Sequence, residues 1–170
     1  MNARDDLKLE IDIVWEDDGW PDRAMCENIA FDAARLAYSG AISEAAIKAR
    51  GNAAEVSLVF AADDYVKELN LNWRGMDKST NVLSFPALDD LALSGAPRLL
   101  GDVVLARQTV VAEAAEQGKP VVHHVGHLVC HGMLHLLGYD HLTDTDAKDM
   151  ESLETALLAQ LKIPDPYANE

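Results

Sequence analysis

The sequence predicts an α+β domain with about four strands and five to six helices, on three observations. Short segments that alternate apolar and polar residues are interleaved with longer segments of helical spacing. The 170 residues, 49% of them apolar, are enough to bury one ordinary core without disulfides or a second domain. Neither an internal repeat nor a break in composition divides the chain, so residues 1–170 are expected to form a single domain.

The elements follow in order. In LKLEIDIVWE, Leu7, Leu9, Ile11, Ile13 and Trp15 alternate with Lys8, Glu10 and Asp12, the pattern of a half-buried strand. Residues 22–38 place Met25, Ile29, Ala33, Leu36 and Ala37 at helical spacing, with Ser39-Gly40 as the expected stop. Residues 41–54 carry no decisive pattern. AEVSLVFA reads as a second strand, and Asp63 or Asp64 is placed to cap the helix YVKELNLNW, which ends at Gly75. After the loop RGMDKST, the short strand NVLSF stops at Pro86.

From Pro86 to Arg98, two prolines, a glycine and Asp89-Asp90 make a loop and a candidate mobile segment. LGDVVLA is the next strand, and RQTVVAEAAEQ a helix that stops at Gly118. A long helix starts with Pro120 in its first turn and runs to Gly138. The last helix is capped by Thr143 or Asp144 and carries Met150, Leu153, Leu157, Leu158 and Leu161 on its apolar face; IPDPYANE then frays.

Composition limits function. With 14 Lys+Arg against 29 Asp+Glu, the formal charge of −15 argues against a general attraction to polyanions or anionic membranes. Any nucleic-acid site must be local. Cys26 and Cys130 lie in apolar helical surroundings without a Cys-x-x-Cys pair, and read as buried thiols. MNARDDLKLE has no positive-then-apolar leader, and no apolar run approaches a membrane span, so a cytoplasmic protein is expected.

The chemistry concentrates in HGMLHLLGYDH, residues 131–141. On a helix, His131 and His135 share a face about 6 Å apart along the axis, close enough to converge on one ion. Gly138 lets the chain turn, and YDH brings back His141, so three imidazoles leave a fourth position open for catalysis. His127 is a rival, but it stands about 12 Å of rise from His135, which excludes 127, 131 and 135 as one site. His127 is therefore a group behind the ligands, a substrate contact or a structural histidine, and His123 and His124 read as surface or core-edge residues. Zinc suits three imidazoles best, although nickel, cobalt or iron take the same ligands.

The spacing resembles HExxHxxGxxH of metzincin peptidases, with one difference. Gly132 stands where the peptidase carries its general-base glutamate. That substitution argues against peptide hydrolysis and towards a substrate that needs charge neutralised. Asp102 and Asp140 each read either as a carboxylate that orients a ligand histidine or as a local loop partner, and Met150 reads as core. Thr80 and Ser84 could bond substrate, but a turn and cap role is favoured.

HGMLHLLGYDH, together with STNVLSFP at 79–86 and LGDVVLA at 100–106, resembles the YbeY family of bacterial rRNA-maturation endoribonucleases. LNLNWRGMDKSTNVLSFP is similar to the family's arginine-bearing loop and strand, and the order of blocks agrees over roughly residues 55–160. The resemblance implies a mixed sheet with a zincin-like three-histidine centre holding one zinc ion per chain on His131, His135 and His141. It implies that Arg74 is catalytic, and a guanidinium fork does match phosphate oxygens in pairs. Lys78 and His127 are carried as candidate substrate contacts, and Lys78 reads equally as surface.

The activity so implied is single-strand-specific, metal-dependent cleavage of RNA in 16S rRNA 3′ end maturation and ribosome quality control. The implied partners are ribosomal RNA or 30S precursor particles, with a small-subunit ribosomal protein and a ribosome-assembly GTPase, and no membrane. A positively charged RNA cleft also belongs to the implied picture, which the net charge makes a matter for the structure. Either water or the substrate's own 2′-hydroxyl attacks phosphorus, and the base is open, His127 being one candidate. Two rivals stand beside this reading. A hydrolase of a peptide or small amide would need a carboxylate from elsewhere, such as Asp102 or Glu154, and a non-catalytic zinc-stabilised assembly factor would close the fourth position.

Overall fold

The computed structural model describes residues 4–88 and 96–169. The chain runs β1 (Lys8–Trp15), α1 (Arg23–Ala41), α2 (Glu44–Arg50), β2 (Ala53–Ala61), α3 (Asp63–Arg74), β3 (Val82–Pro86), β4 (Arg98–Ala106), α4 (Arg107–Glu116), α5 (Val121–Leu136) and α6 (Asp144–Gln160). One sheet of order β1-β2-β4-β3 has its first three strands parallel and β3 antiparallel at the edge. The fold is thus the α+β arrangement with a mixed four-stranded sheet that was expected. Residues 89–95, with Asp89-Asp90 and Gly95 of the expected mobile loop, lie outside the described residues.

Several boundaries differ for local reasons. Ser39-Gly40 does not stop α1, which continues to Ala41. Gly40 serves packing instead: a Cβ there would lie 2.7 Å from Leu157 Cδ2, so the glycine lets α1 close onto α6. The undecided stretch 41–54 holds α2, whose Ser43 side chain accepts from the Ala46 N–H, with Glu44 in the first turn and Lys48 and Arg50 in the last. Neither Asp63 nor Asp64 caps α3, whose N-cap is Ala62. The Asp63 carboxylate accepts from the backbone N–H and hydroxyl of Thr109, which ties α3 to α4. Thr143 is the cap of α6, accepting from the Asp146 N–H at 3.1 Å.

The main core lies between one face of the sheet and α1, α5 and α6. Its largest fully buried members include Phe60, Leu58, Leu105, Met133, Leu134, Met150 and Leu158. Each such aliphatic side chain contributes roughly 1.5–3 kcal/mol over leaving it exposed. A smaller cluster on the opposite face packs Val66 of α3 onto Val59, Leu83 and Val104. Among the described residues no helix is long and apolar enough to cross a membrane. The placement that matters is that of α5: it runs along the sheet next to β3, so its C-terminal end meets the Arg74-bearing end of α3 across a cleft.

Candidate metal centre

Helical spacing puts His131 and His135 side by side near the end of α5, with ring centroids 4.5 Å apart. The helix then stops at Leu137, and Gly138 (φ 99°) takes the left-handed turn that a side chain would resist. Tyr139 N–H returns to the Leu134 carbonyl, and the chain folds His141 back to 5.1 Å from the His135 ring and 6.0 Å from His131. The three expected residues are therefore brought together. One nitrogen of each lies within 4.8 Å of the others. His127 does not join them; it falls into a separate group with His131 and Glu154.

The outward hydrogen bonds decide which nitrogens face inward. His135 Nδ1 lies 3.0 Å from the Tyr139 carbonyl, and His131 Nδ1 lies 3.1 Å from Glu154 Oε1. Both partners are acceptors, so both Nδ1 atoms donate and both Nε2 atoms carry lone pairs. Those two Nε2 atoms are 3.0 Å apart. Two lone pairs at that distance repel unless a proton or a metal ion lies between them. Tetrahedral zinc with Zn–N of about 2.0–2.1 Å sets neighbouring ligand nitrogens about 3.3 Å apart, so the donor set fits an ion after a shift of a few tenths of an ångström. Burial and the neighbouring His131 push the His135 pKa down, which keeps its ring neutral and available as a ligand.

Behind the histidines sits Glu154, fully buried on α6. Burial alone would push its carboxyl up, but hydrogen bonds from His127 and His131 outweigh that and hold it at about 2. Oε1 lies 3.1 Å from His131 Nδ1 and 3.2 Å from His127 Nε2, and Oε2 accepts the Tyr167 hydroxyl at 2.8 Å. A carboxylate on the far nitrogen of a ligand histidine fixes its tautomer and raises its basicity.

The histidines open into a cleft of about 670 Å³. Arg74, exposed at the end of α3, lines it and is steadied by donating to the Ser84 carbonyl at 2.9 Å, with its guanidinium 5.7 Å from the Phe85 ring centroid. His127 and Ser84 also line it, whereas the exposed Lys78 side chain is not part of its wall. Among the described residues lining the cleft, Arg74 is the one permanent cation and Asp140 the one carboxylate. Among the described residues lining this cleft, the positive charge that the resemblance implies rests on Arg74.

Gly132 has a steric reason. A Cβ there would lie 2.7 Å from Val103 Cγ1 and 3.0 Å from Ser84 Oγ, because α5 presses its backbone against β3 and β4. Ser84 Oγ donates to the Gly132 carbonyl at 3.1 Å across that contact. A glutamate in the peptidase position has no room.

The remaining expectations are met in part. Asp102 does not orient a histidine: it lines a separate cavity of about 360 Å³ with Glu55 and Ser57, and burial raises its pKa. Asp140 lines the cleft but accepts from the Leu142 N–H, which makes it a turn residue. His124 is buried, not at the surface; its Nε2 lies 2.6 Å from Glu113 Oε2, and Glu113 also accepts from Asn81 of the cleft wall. Cys26 and Cys130 are buried thiols, pushed up to about 11 and about 12 by burial and nearby carboxylates. Sequence reasoning missed Tyr167, which lies in the tail expected to fray. Glu154 did leave a signal, a charge in the apolar stripe between Met150 and Leu158.

Comparison with known proteins places the chain in a family. Residues 27–162 match the family model described as Endoribonuclease YbeY. The chain is 45% identical over 160 residues to Endoribonuclease YbeY of Rhodopseudomonas palustris, covering 94% of this chain and 81% of that protein. It is 46% identical over 170 residues to that of Allorhizobium ampelinum, covering 96% and 97% respectively. Among solved structures, the solution structure of TM1509 from Thermotoga maritima superposes with a TM-score of 0.58 at 25% identity, over 89% of this chain and 88% of that one. The chain belongs to the Endoribonuclease YbeY family.

Proposed function

We propose that the protein is a metal-dependent endoribonuclease in which His131, His135 and His141 hold one zinc ion and Arg74 neutralises substrate phosphate. The observation that carries this reading is the pair of inward Nε2 atoms 3.0 Å apart, opening into a cleft whose permanent cation is Arg74. A divalent ion held there supplies Lewis acidity towards a phosphate oxygen. Arg74 keeps donors beyond the one given to Ser84, and these pair with phosphate oxygens as charge accumulates on them. Glu154 and the Tyr139 carbonyl hold the two helical imidazoles in the tautomer that turns Nε2 inward. His127 gives its Nε2 to Glu154 and offers the strand beside the reacting phosphate only the face of its ring on the cleft wall.

The peptide or amide hydrolase loses support from the same geometry. It needs a carboxylate free to take a proton in the cleft. Asp102 lies in another cavity, Glu154 is fully buried with both oxygens engaged, and Asp140, the one carboxylate among the described cleft residues, is tied through Oδ1 to the Leu142 N–H of its turn. The non-catalytic alternative needs a fourth protein ligand, whereas the three histidines face open cleft.

The cleft has the volume of a small-molecule pocket, which takes a few nucleotides of a flexible strand more readily than a duplex. Together with family membership, this supports single-stranded RNA as substrate and action in 16S rRNA 3′ end maturation and ribosome quality control. On this reading the whole of residues 1–170 is one cytoplasmic endoribonuclease domain. It meets 30S precursor particles there, and a small-subunit ribosomal protein and an assembly GTPase supply the attraction that a net charge of −15 does not.

The test is cleavage of structured ribosomal RNA precursors by the purified protein beside His131→Ala and Arg74→Glu, with metal content measured. Loss of cutting in both folded variants, with metal lost only from the histidine variant, is expected. Folded variants that cut RNA as well as the parent contradict the proposal.

A further inference from the structure

We propose that Tyr167, beyond the end of α6, is a positioning residue for the three-histidine centre: its hydroxyl holds Glu154, and Glu154 holds the His131 ring. The inference rests on the reading of that centre as a metal site.

The physical demand comes from Glu154. A fully buried carboxylate must find donors for both oxygens, because each unfilled lone pair carries an undiminished desolvation cost. Oε1 is served by His131 Nδ1 and His127 Nε2, both on α5. Oε2 is served by the Tyr167 hydroxyl at 2.8 Å, which comes from beyond the end of α6 and also lies 3.4 Å from His127 Nε2. With donors on both oxygens, the carboxylate plane cannot rotate without breaking a bond, so Oε1 stays aimed at His131. Without the hydroxyl, the carboxylate is free to turn Oε2 towards the histidines, and the His131 ring loses its fixed partner.

The tail is built to deliver that hydroxyl. Ile163 N–H bonds the Leu158 carbonyl, closing α6 and turning the chain back. Asp165 Oδ1 then accepts from the Tyr167 N–H at 2.8 Å and from Thr155 Oγ1 at 3.2 Å, which pins the turn to α6. The Tyr167 ring stands edge-on to His127, centroids 5.7 Å apart, and forms part of the cleft wall. A segment with the composition of a loose terminus is thereby made part of the site.

The test is zinc affinity by chelator competition, with the full chain, for the parent, Tyr167→Phe, Glu154→Gln and the double variant. Losing a partner that orients a ligand costs 10–100-fold in affinity, so Tyr167→Phe, one step further out, is expected to weaken binding about 10-fold. In the Glu154→Gln background the same change is expected to cost less than about twofold, because the charge-assisted bond that holds His131 is already lost. Asp165→Ala, which releases the turn without touching the core, is expected to weaken binding in the same direction and guards against a Tyr167 variant that fails to fold. If the parent binds zinc and Tyr167→Phe binds it equally well, or loses as much in the Glu154→Gln background, the positioning role is wrong. If the parent binds no zinc, the ligand reading itself fails.

Discussion

Gly132→Ala tests how closely α5 is seated on the sheet. In an open helix position the change is stabilising, since alanine exceeds glycine by about 0.8–1 kcal/mol in helix propensity. Here the new methyl would lie 2.7 Å and 3.1 Å from the two Cγ atoms of Val103 and 3.0 Å from Ser84 Oγ. Val103 is fully buried and β-branched, so its χ1 has little freedom to move aside, and Ser84 Oγ is engaged with the Gly132 carbonyl. Overpacking of this kind costs about 1–3 kcal/mol, which outweighs the propensity gain and leaves a net loss of roughly 1 kcal/mol. For a chain of this size that is a fall of about 2–4 °C in Tm. Gly132→Glu, which restores the peptidase pattern, adds a buried carboxylate and costs more. Urea unfolding of the metal-free protein measures both. A Gly132→Ala variant about 1 kcal/mol more stable than the parent would show that the helix does not press on Val103.

Two further outcomes follow from charge. Glu154, held at about 2 against an ordinary value of 4.5, contributes stability on the order of 3 kcal/mol that is present above about pH 4.5 and lost as pH falls towards 2. Urea midpoints of the metal-free parent are expected to fall more steeply than those of Glu154→Gln between pH 5 and pH 3, and parallel curves would contradict the assignment. Because the cleft wall carries one permanent cation, RNA binding is expected to be only weakly sensitive to salt. Each phosphate contact on a single strand contributes about −0.7 to the slope of log K against log salt, so filter binding should give about −0.7 for the Arg74 contact and about −1.4 with a second; a slope near −5 would require a basic surface elsewhere.

The histidine corner was legible because its parts are local: helical spacing joins His131 to His135, and a glycine before YDH gives His141 its way back. The alternating strands and the apolar stripe of α6 were legible for the same reason. What was not legible depended on contacts between distant segments. Gly40 has the composition of a stop signal, and its close approach to Leu157 exists only once α1 and α6 are packed. Asp63 has the composition of a cap, and it is diverted by Thr109, 46 residues further on. Asp102, next to a strand glycine, gave no sign of which sheet face it takes. Tyr167 shows no periodicity at all, since its partner Glu154 is reached through a turn made by Asp165. Gly132 was read correctly as the missing base, but its cause, the 2.7 Å approach to Val103, is a property of the packed helix and sheet.

The measurement closest to the metal centre is X-ray absorption at the zinc edge on the purified, zinc-loaded protein. Three imidazole nitrogens and one oxygen from water or substrate at about 2.0–2.1 Å are expected, with one ion per chain and one imidazole fewer in His141→Ala. A sulfur shell near 2.3 Å, which would have to come from Cys130 or Cys26, or an imidazole count unchanged in His141→Ala, would contradict an open centre built on His131, His135 and His141.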